Sequence, residues 1–71
     1  MTAKQIADEV QRLVYSSVHD LHSTLRCARD NGQPFPEAVL ETALTVADAN
    51  GFKTKARLLQ SELNRMRREA A

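Results

Sequence analysis

Apolar residues recur at steps of three and four along the first thirty positions of the chain, which predicts one long amphipathic helix. The helix should begin near residue 3, because Thr2 and Gln5 have the spacing of a capping box, and end near residue 31, before Gly32. At about 1.5 Å per residue it would form a rod roughly 43 Å long. The positions of its apolar sector are Ile6, Val10, Leu13, Val14, Ser17, Val18, Leu21, Leu25 and Ala28.

Two shorter helices are predicted to follow, at residues 36–50 and 52–70. Pro34 cannot continue the first helix, whereas Pro36 suits the first position of the second. Asn50-Gly51 then repeats the stop signal that ends the first helix. The second helix carries an apolar face beside an acidic stripe. The third helix has a narrow apolar seam with alternating spacings of four and three residues, formed by Phe52, Ala56, Leu59, Leu63 and Met66.

This pattern predicts an all-α, single-domain protein spanning residues 1–71, in which the second and third helices fold back along the first. The apolar sector of the first helix, about 140° wide, exceeds what a hairpin partner covers. A chain this short buries only about 60% of its unfolded surface, and its single cysteine, Cys27, offers no disulfide. We therefore expect a four-helix-like homodimer, with a closed three-helix monomer as the alternative. The predicted self-association residues are Val14, Val18, Leu21, Leu25, Leu59, Leu63 and Met66.

Two stretches, LHSTLRCARDNG at residues 21–32 and LETALTVADANG at residues 40–51, share Leu, Leu, Ala, Asn and Gly at the same offsets. An apolar helix face followed by an Asn-Gly stop explains this match better than a duplication, since repeat proteins usually need three or more units. A helix-turn-helix with Gly51 in its turn is a third interpretation. Arg57 and Gln60 would then occupy positions where a recognition helix is apolar. This favours an ordinary turn between two helices over a DNA-binding helix-turn-helix.

Basic residues are concentrated in the third helix. Residues 1–50 carry a net charge of −3, whereas residues 51–71 carry +4. On a helical wheel, four basic residues of the third helix share a sector that no acidic residue enters, and Arg67 lies at its edge. Such a face binds phosphates, binds an acidic protein surface, or is only solvated. The candidate residues for binding a protein or nucleic-acid partner are Lys53, Arg57, Arg65, Arg67 and Arg68.

His19, His22 and Cys27 are the residues that suggest a metal site, but on the wheel they do not converge on one point. The serines of the first helix lack an oxyanion hole, because backbone amides in a helix interior are already hydrogen-bonded. We therefore expect no metal, no cofactor, no small-molecule substrate and no enzymatic activity.

The sequence favours a small non-enzymatic regulator or adaptor that self-associates and docks a larger protein partner through helical surfaces. The alternative is a nucleic-acid-binding regulator that uses the basic face of the third helix. Residues 1–10 contain no apolar run typical of a signal peptide, and no stretch approaches the ~18 apolar residues of a membrane span. A cytoplasmic location is expected on these grounds.

Overall fold

The computed structural model describes residues 2–70 and shows four helices and no strand in that range. They are α1 (Ala3–Val14), α2 (Val18–Asp30), α3 (Glu37–Ala49) and α4 (Lys53–Ala70). The all-helical prediction is confirmed. The prediction of three helices is wrong, because the expected first helix is divided into α1 and α2. Within the described range, no helix is both long enough and apolar enough to cross a bilayer.

The division between α1 and α2 lies at two consecutive serines. The Ser17 hydroxyl accepts a hydrogen bond from the backbone amide of Asp20 at 3.1 Å, which makes Ser17 the N-cap of α2. The Ser16 hydroxyl donates to the carbonyl oxygen of Leu13 at 3.0 Å. Serine hydroxyls compete with backbone groups for helical hydrogen bonds, so this pair ends one helix and starts the next. The Ser-x-x-Asp spacing in SVHD was the sequence signal for this boundary.

Lys55 of α4 closes the C-terminal end of α1. Its Nζ donates to the carbonyl oxygen of Val14 at 2.6 Å and lies 4.5 Å from the centre of the Phe52 ring. The Phe52 ring in turn meets Tyr15 edge-on, with 6.3 Å between ring centroids. Carbonyl groups in the last turn of a helix have no intrahelical donor, so a cation there satisfies one of them and suits the helix dipole. The break in the predicted rod is therefore stabilised from α4.

Both Asn-Gly pairs end a helix, as the sequence predicts. Gly32 and Gly51 each have a φ of 72°, in the left-handed region that favours glycine. The next amides, those of Gln33 and Phe52, donate back into the last helical turn at 2.9 Å in both cases. These bonds define a Schellman motif at each end. The similarity of the two stretches therefore reflects a shared way of ending a helix.

The α3–α4 corner is an antiparallel hairpin. Arg67, near the end of α4, donates to Glu37 at 2.9 Å and to Glu41 at 2.8 Å, and both acids lie in the first half of α3. The three-residue turn joins the opposite ends of these two helices, so they run side by side in opposite directions. In a helix-turn-helix the helices cross at about 90–120°, which would separate these ends. The geometry therefore excludes the helix-turn-helix interpretation.

All four helices contribute to one hydrophobic core, and α3 packs most extensively on α4. The chain measures 30 × 26 × 20 Å along its principal axes, so the predicted 43 Å rod is wrong. Phe35, between the two prolines, packs against the edge of this core. The buried apolar side chains are Val10, Leu13, Val14, Leu21, Leu25, Val39, Leu40, Ala43, Ala47, Ala56, Leu59 and Leu63.

Most of the side chains predicted to mediate self-association belong to this core. Because α2 turns away from α1 at the serines, both helices pack within the single chain and cover their own apolar faces. Among the seven residues, only Val18, which is 40% exposed, and the partly buried Met66 remain accessible to a second copy. The buried members are Val14, Leu21, Leu25, Leu59 and Leu63. Self-association stays a prediction, and these five residues are not available for it in this fold.

Candidate functional site

An open groove of about 260 Å³, which we call the basic groove, lies between α2 and α4. Side chains of α2 form one wall and side chains of α4 form the other. Leu25 and Leu58 supply its apolar part, and Glu62 is the single acidic residue among the described residues that line it. The remaining lining residues are polar or basic: His22, Arg26, Arg29, Ser61, Arg65 and Arg68.

The α2 wall follows from the helical spacing of its residues. His22, Arg26 and Arg29 are separated by four and three positions, so they share one helix face beside the buried Leu25. Arg26 makes an exposed ion pair with Asp30, with 3.8 Å between Nε and Oδ2, and such pairs contribute little stability. No described acidic side chain pairs with Arg29. Both arginines can therefore turn toward a ligand in the groove.

On the α4 wall, Arg65 is held by two carboxylates of its own helix. Its Nε donates to Glu62 at 3.0 Å and its Nη1 donates to Glu69 at 2.7 Å. Glu62 is only 8% exposed, and a carboxylate this buried requires a charged partner. The hydrogen bond to Glu62 raises the pKa of the Arg65 guanidinium above its ordinary value. Arg65 therefore has a locally balanced charge and a fixed position in the wall.

The solvent-facing side of α4 carries four exposed polar residues at helical spacing, which we call the outer stripe: Arg57, Ser61, Asn64 and Arg68. At about 1.5 Å per residue it extends roughly 16 Å along the helix axis. Asn64 Oδ1 accepts a hydrogen bond from Gln60 Nε2 at 3.0 Å. Neither arginine of the stripe pairs with an acidic residue in the described part of the chain. The outer stripe therefore continues the positive surface of the basic groove.

On the opposite flank of α4, α3 exposes three acidic residues that we call the acidic stripe: Glu37, Glu41 and Asp48. Arg67 lies on this flank, and its hydrogen bond to Glu37 is the main cause that raises the pKa of its guanidinium. Asp48 borders a shallow pocket between α3 and α4 together with Arg57. Basic and acidic side chains are therefore mixed on the α3 side of α4, where Arg67 pairs with two acids and Lys53 and Arg57 lie beside the pocket that Asp48 borders.

The structure divides the five predicted basic residues into two groups. Lys53, Arg57 and Arg68 are exposed and, within residues 2–70, have no acidic partner. Arg65 and Arg67 are instead committed to ion pairs.

Arg26 and Arg29 complete the groove from α2, and neither was among the residues predicted from the sequence. Their contribution depends on the break at Ser16–Ser17, because that break places α2 beside α4.

The residues considered for metal binding do not form a site. His19, His22 and Cys27 are all exposed. Among residues 2–70, no three histidine, cysteine or acidic side chains are arranged to hold a metal ion. His22 instead lines the basic groove.

A second groove, of about 310 Å³, lies between α1 and α3 and is called the apolar groove. Among residues 2–70, no charged residue lines this groove. Tyr15 lies at one end of it and is 61% exposed, which makes it the more exposed of the two large hydrophobic side chains on the surface of the described part of the chain. The residues of this groove are Ala3, Ile6, Ala7, Val10, Gln11, Tyr15, Thr42 and Val46.

No protein-family model, curated protein sequence or solved structure matches this chain. The charge and geometry of the two grooves therefore carry the functional conclusion.

Proposed function

We propose that this protein is a small non-enzymatic binding protein that holds the phosphate backbone of nucleic acid in the basic groove and along the outer stripe. One observation carries the proposal: arginines from two separate helices converge on the same groove. Arg26 and Arg29 approach from α2, and Arg65 and Arg68 approach from α4. The self-associating adaptor favoured by the sequence has less support, because most of its interface lies in the core.

The chemistry of the lining suits phosphate. Arginine presents a planar fork of donors that binds phosphate oxygens in a bidentate manner. The Ser61 hydroxyl is a further donor of the kind that contacts phosphates in nucleic-acid complexes. Within residues 2–70, four arginines have no acidic partner or only a weak, exposed one: Arg26, Arg29, Arg57 and Arg68. Each can neutralise one phosphate and release its condensed counterion.

Salt dependence tests the proposal. With four phosphate contacts, the logarithm of the binding constant for duplex DNA should fall with the logarithm of salt concentration with a slope of about −3.6. Affinity should then drop roughly 150-fold between about 50 mM and about 200 mM salt. The measurement is the fluorescence anisotropy of a labelled duplex titrated with the protein at several salt concentrations. No binding at the lowest salt, or affinity that is unchanged by salt, would contradict the proposal.

The apolar groove favours a second candidate function, the docking of a helix from a larger protein partner. The small side chains of Ala3, Ala7 and Thr42 permit close approach of another helix, and Tyr15 offers an aromatic contact at the end of the groove. The lining is uncharged, so binding there should change little over the salt range that weakens phosphate binding. Salt dependence therefore distinguishes the two candidate functions.

A further inference from the structure

We infer that His22 is a further phosphate-binding residue of the basic groove, which contacts nucleic acid when its imidazole is protonated, so that affinity rises as the pH falls below neutral. This inference rests on the proposed function and adds to it a binding residue and a pH dependence. Two observations carry it: the place of His22 in the groove and the pairing of the nearby carboxylates.

The helices α2 and α4 run in the same direction. The first turn of α2 follows the end of α1, where the carbonyl oxygen of Val14 accepts a hydrogen bond at 2.6 Å from Lys55, near the start of α4. The end of α2 leads through a short connection to Glu37, which pairs at 2.9 Å with Arg67, near the end of α4. His22, in the second turn of α2, therefore lies at the end of the basic groove nearest the start of α4.

At this end of the groove, α4 supplies no cation to the described lining. The first half of α4 contributes a leucine and Ser61, whereas Arg65 and Arg68 follow one and two turns later. On the α2 wall, His22 lies one turn before Arg26 and shares its face. Protonated His22 therefore extends the row of arginines on α2 into the part of the groove that α4 leaves without positive charge.

The carboxylates near the basic groove are already paired. Glu62, which faces the groove from α4, accepts a hydrogen bond from Nε of Arg65 at 3.0 Å. On α2, Asp30 pairs with Arg26 and lies two turns from His22. No described residue of α1 or α3 lines the groove. The positive groups that line the groove with His22 are Arg26, Arg29, Arg65 and Arg68. The same phosphates neutralise these arginines, so a protonated imidazole finds its counter-ion in bound phosphate rather than in the protein.

Protonation changes what an imidazole offers to phosphate. A neutral histidine ring has one donor and one acceptor nitrogen, whereas the protonated ring has two donors and a positive charge. Histidine ordinarily changes its charge between about pH 5 and 8, a range in which a phosphodiester stays negatively charged. A phosphate bound beside the ring favours the protonated form, so the complex holds more protons than the free partners. Affinity must therefore rise as the pH falls through this range.

The test measures the binding of a labelled DNA duplex by fluorescence anisotropy at about pH 7.5 and about pH 5.5, each at several salt concentrations. Wild-type affinity should be about three- to tenfold higher at the lower pH. The salt slope should grow in magnitude by up to about 0.9, the contribution of one further phosphate. His22→Gln should abolish both changes. His22→Lys, whose charge is permanent over this range, should bind more tightly than the wild type at the higher pH and show no further rise at the lower one.

His19→Gln is the matched control, because His19 is the other histidine of the chain, is exposed one turn earlier on α2 and does not line the groove. It should keep the full pH response. Equal wild-type affinity at the two pH values would overturn the inference and leave the proposed function standing. A pH response that survives in His22→Gln, or that is lost in His19→Gln, would do the same. Absence of binding at both pH values, even at the lowest salt, would overturn the proposed function itself. Circular dichroism at both pH values checks that these exposed substitutions leave the fold intact.

Discussion

Replacing Leu59 with Ala should lower the free energy of unfolding by about 2–5 kcal/mol, a large fraction of the roughly 5–15 kcal/mol typical of a native domain. Leu59 is fully buried, and its side chain lies in the apolar seam of α4. Truncation removes its transfer free energy and leaves a cavity that the close-packed helices fill only in part. Urea unfolding followed by circular dichroism measures the loss.

Leu58 provides a matched control for this variant. It is the preceding residue, has the same side chain, and is only partly buried at the edge of the basic groove. Leu58→Ala should therefore cost less than half as much stability, because much less apolar area is returned to water. Equal losses in the two variants would contradict the position of the α4 seam and the packing of α2 against α4.

Removing two groove arginines should weaken duplex DNA binding roughly 100-fold. Arg29 and Arg68 approach the basic groove from different helices, and neither has an acidic partner in the described range. Each lost charge-assisted contact costs about 1.5 kcal/mol, close to tenfold in affinity. The salt slope of the Arg29→Ala/Arg68→Ala variant should also decrease in magnitude by about 2, to roughly half of its original value. Anisotropy titrations at several salt concentrations measure both quantities.

The matched control for this variant is Lys4→Ala/Arg12→Ala, which removes the same number of positive charges from α1. Lys4 and Arg12 are exposed and do not line the basic groove. If binding depends on the groove, this control should retain nearly the wild-type affinity and salt slope. Equal loss in both double variants would mean that overall charge, rather than the groove, determines binding.

The parts of the fold that could be predicted from the sequence are those set by local hydrogen bonding. The Thr2–Gln5 capping box and the stops at Gly32 and Gly51 form as expected, since their chemistry lies within a few residues. The apolar seam of α4 was also predicted and lies in or against the core.

The break between α1 and α2 was missed because apolar periodicity indicates which face of a helix is buried. It does not indicate whether the helical backbone is continuous. Val14 and Val18 keep the same phase across the two serines, so the pattern continues where the backbone does not. This single error had a large consequence. A continuous rod leaves an apolar sector exposed and suggests a dimer, whereas a broken one lets the chain cover its own core.

The candidate site was predictable only in part. A helical wheel correctly places Arg57 and Arg68 on one exposed face, because the relative position of two residues in the same helix depends on the geometry of α4 alone. It cannot reveal that Arg67 pairs with acids about thirty residues earlier in the chain, or that Arg26 and Arg29 lie across a groove from α4. These contacts arise from tertiary packing, which the spacing of residues within one helix does not encode.

Phosphate binding in the basic groove is tested most directly by a map of backbone amide chemical shifts in the isotopically labelled protein during titration with duplex DNA. Binding in this groove predicts that the perturbed amides cluster on its two walls, around Arg26 and Arg29 of α2 and Ser61 and Arg68 of α4. Perturbations centred instead on the apolar groove, around Ala7 and Thr42, would contradict it, as would a spectrum that saturating DNA leaves unchanged.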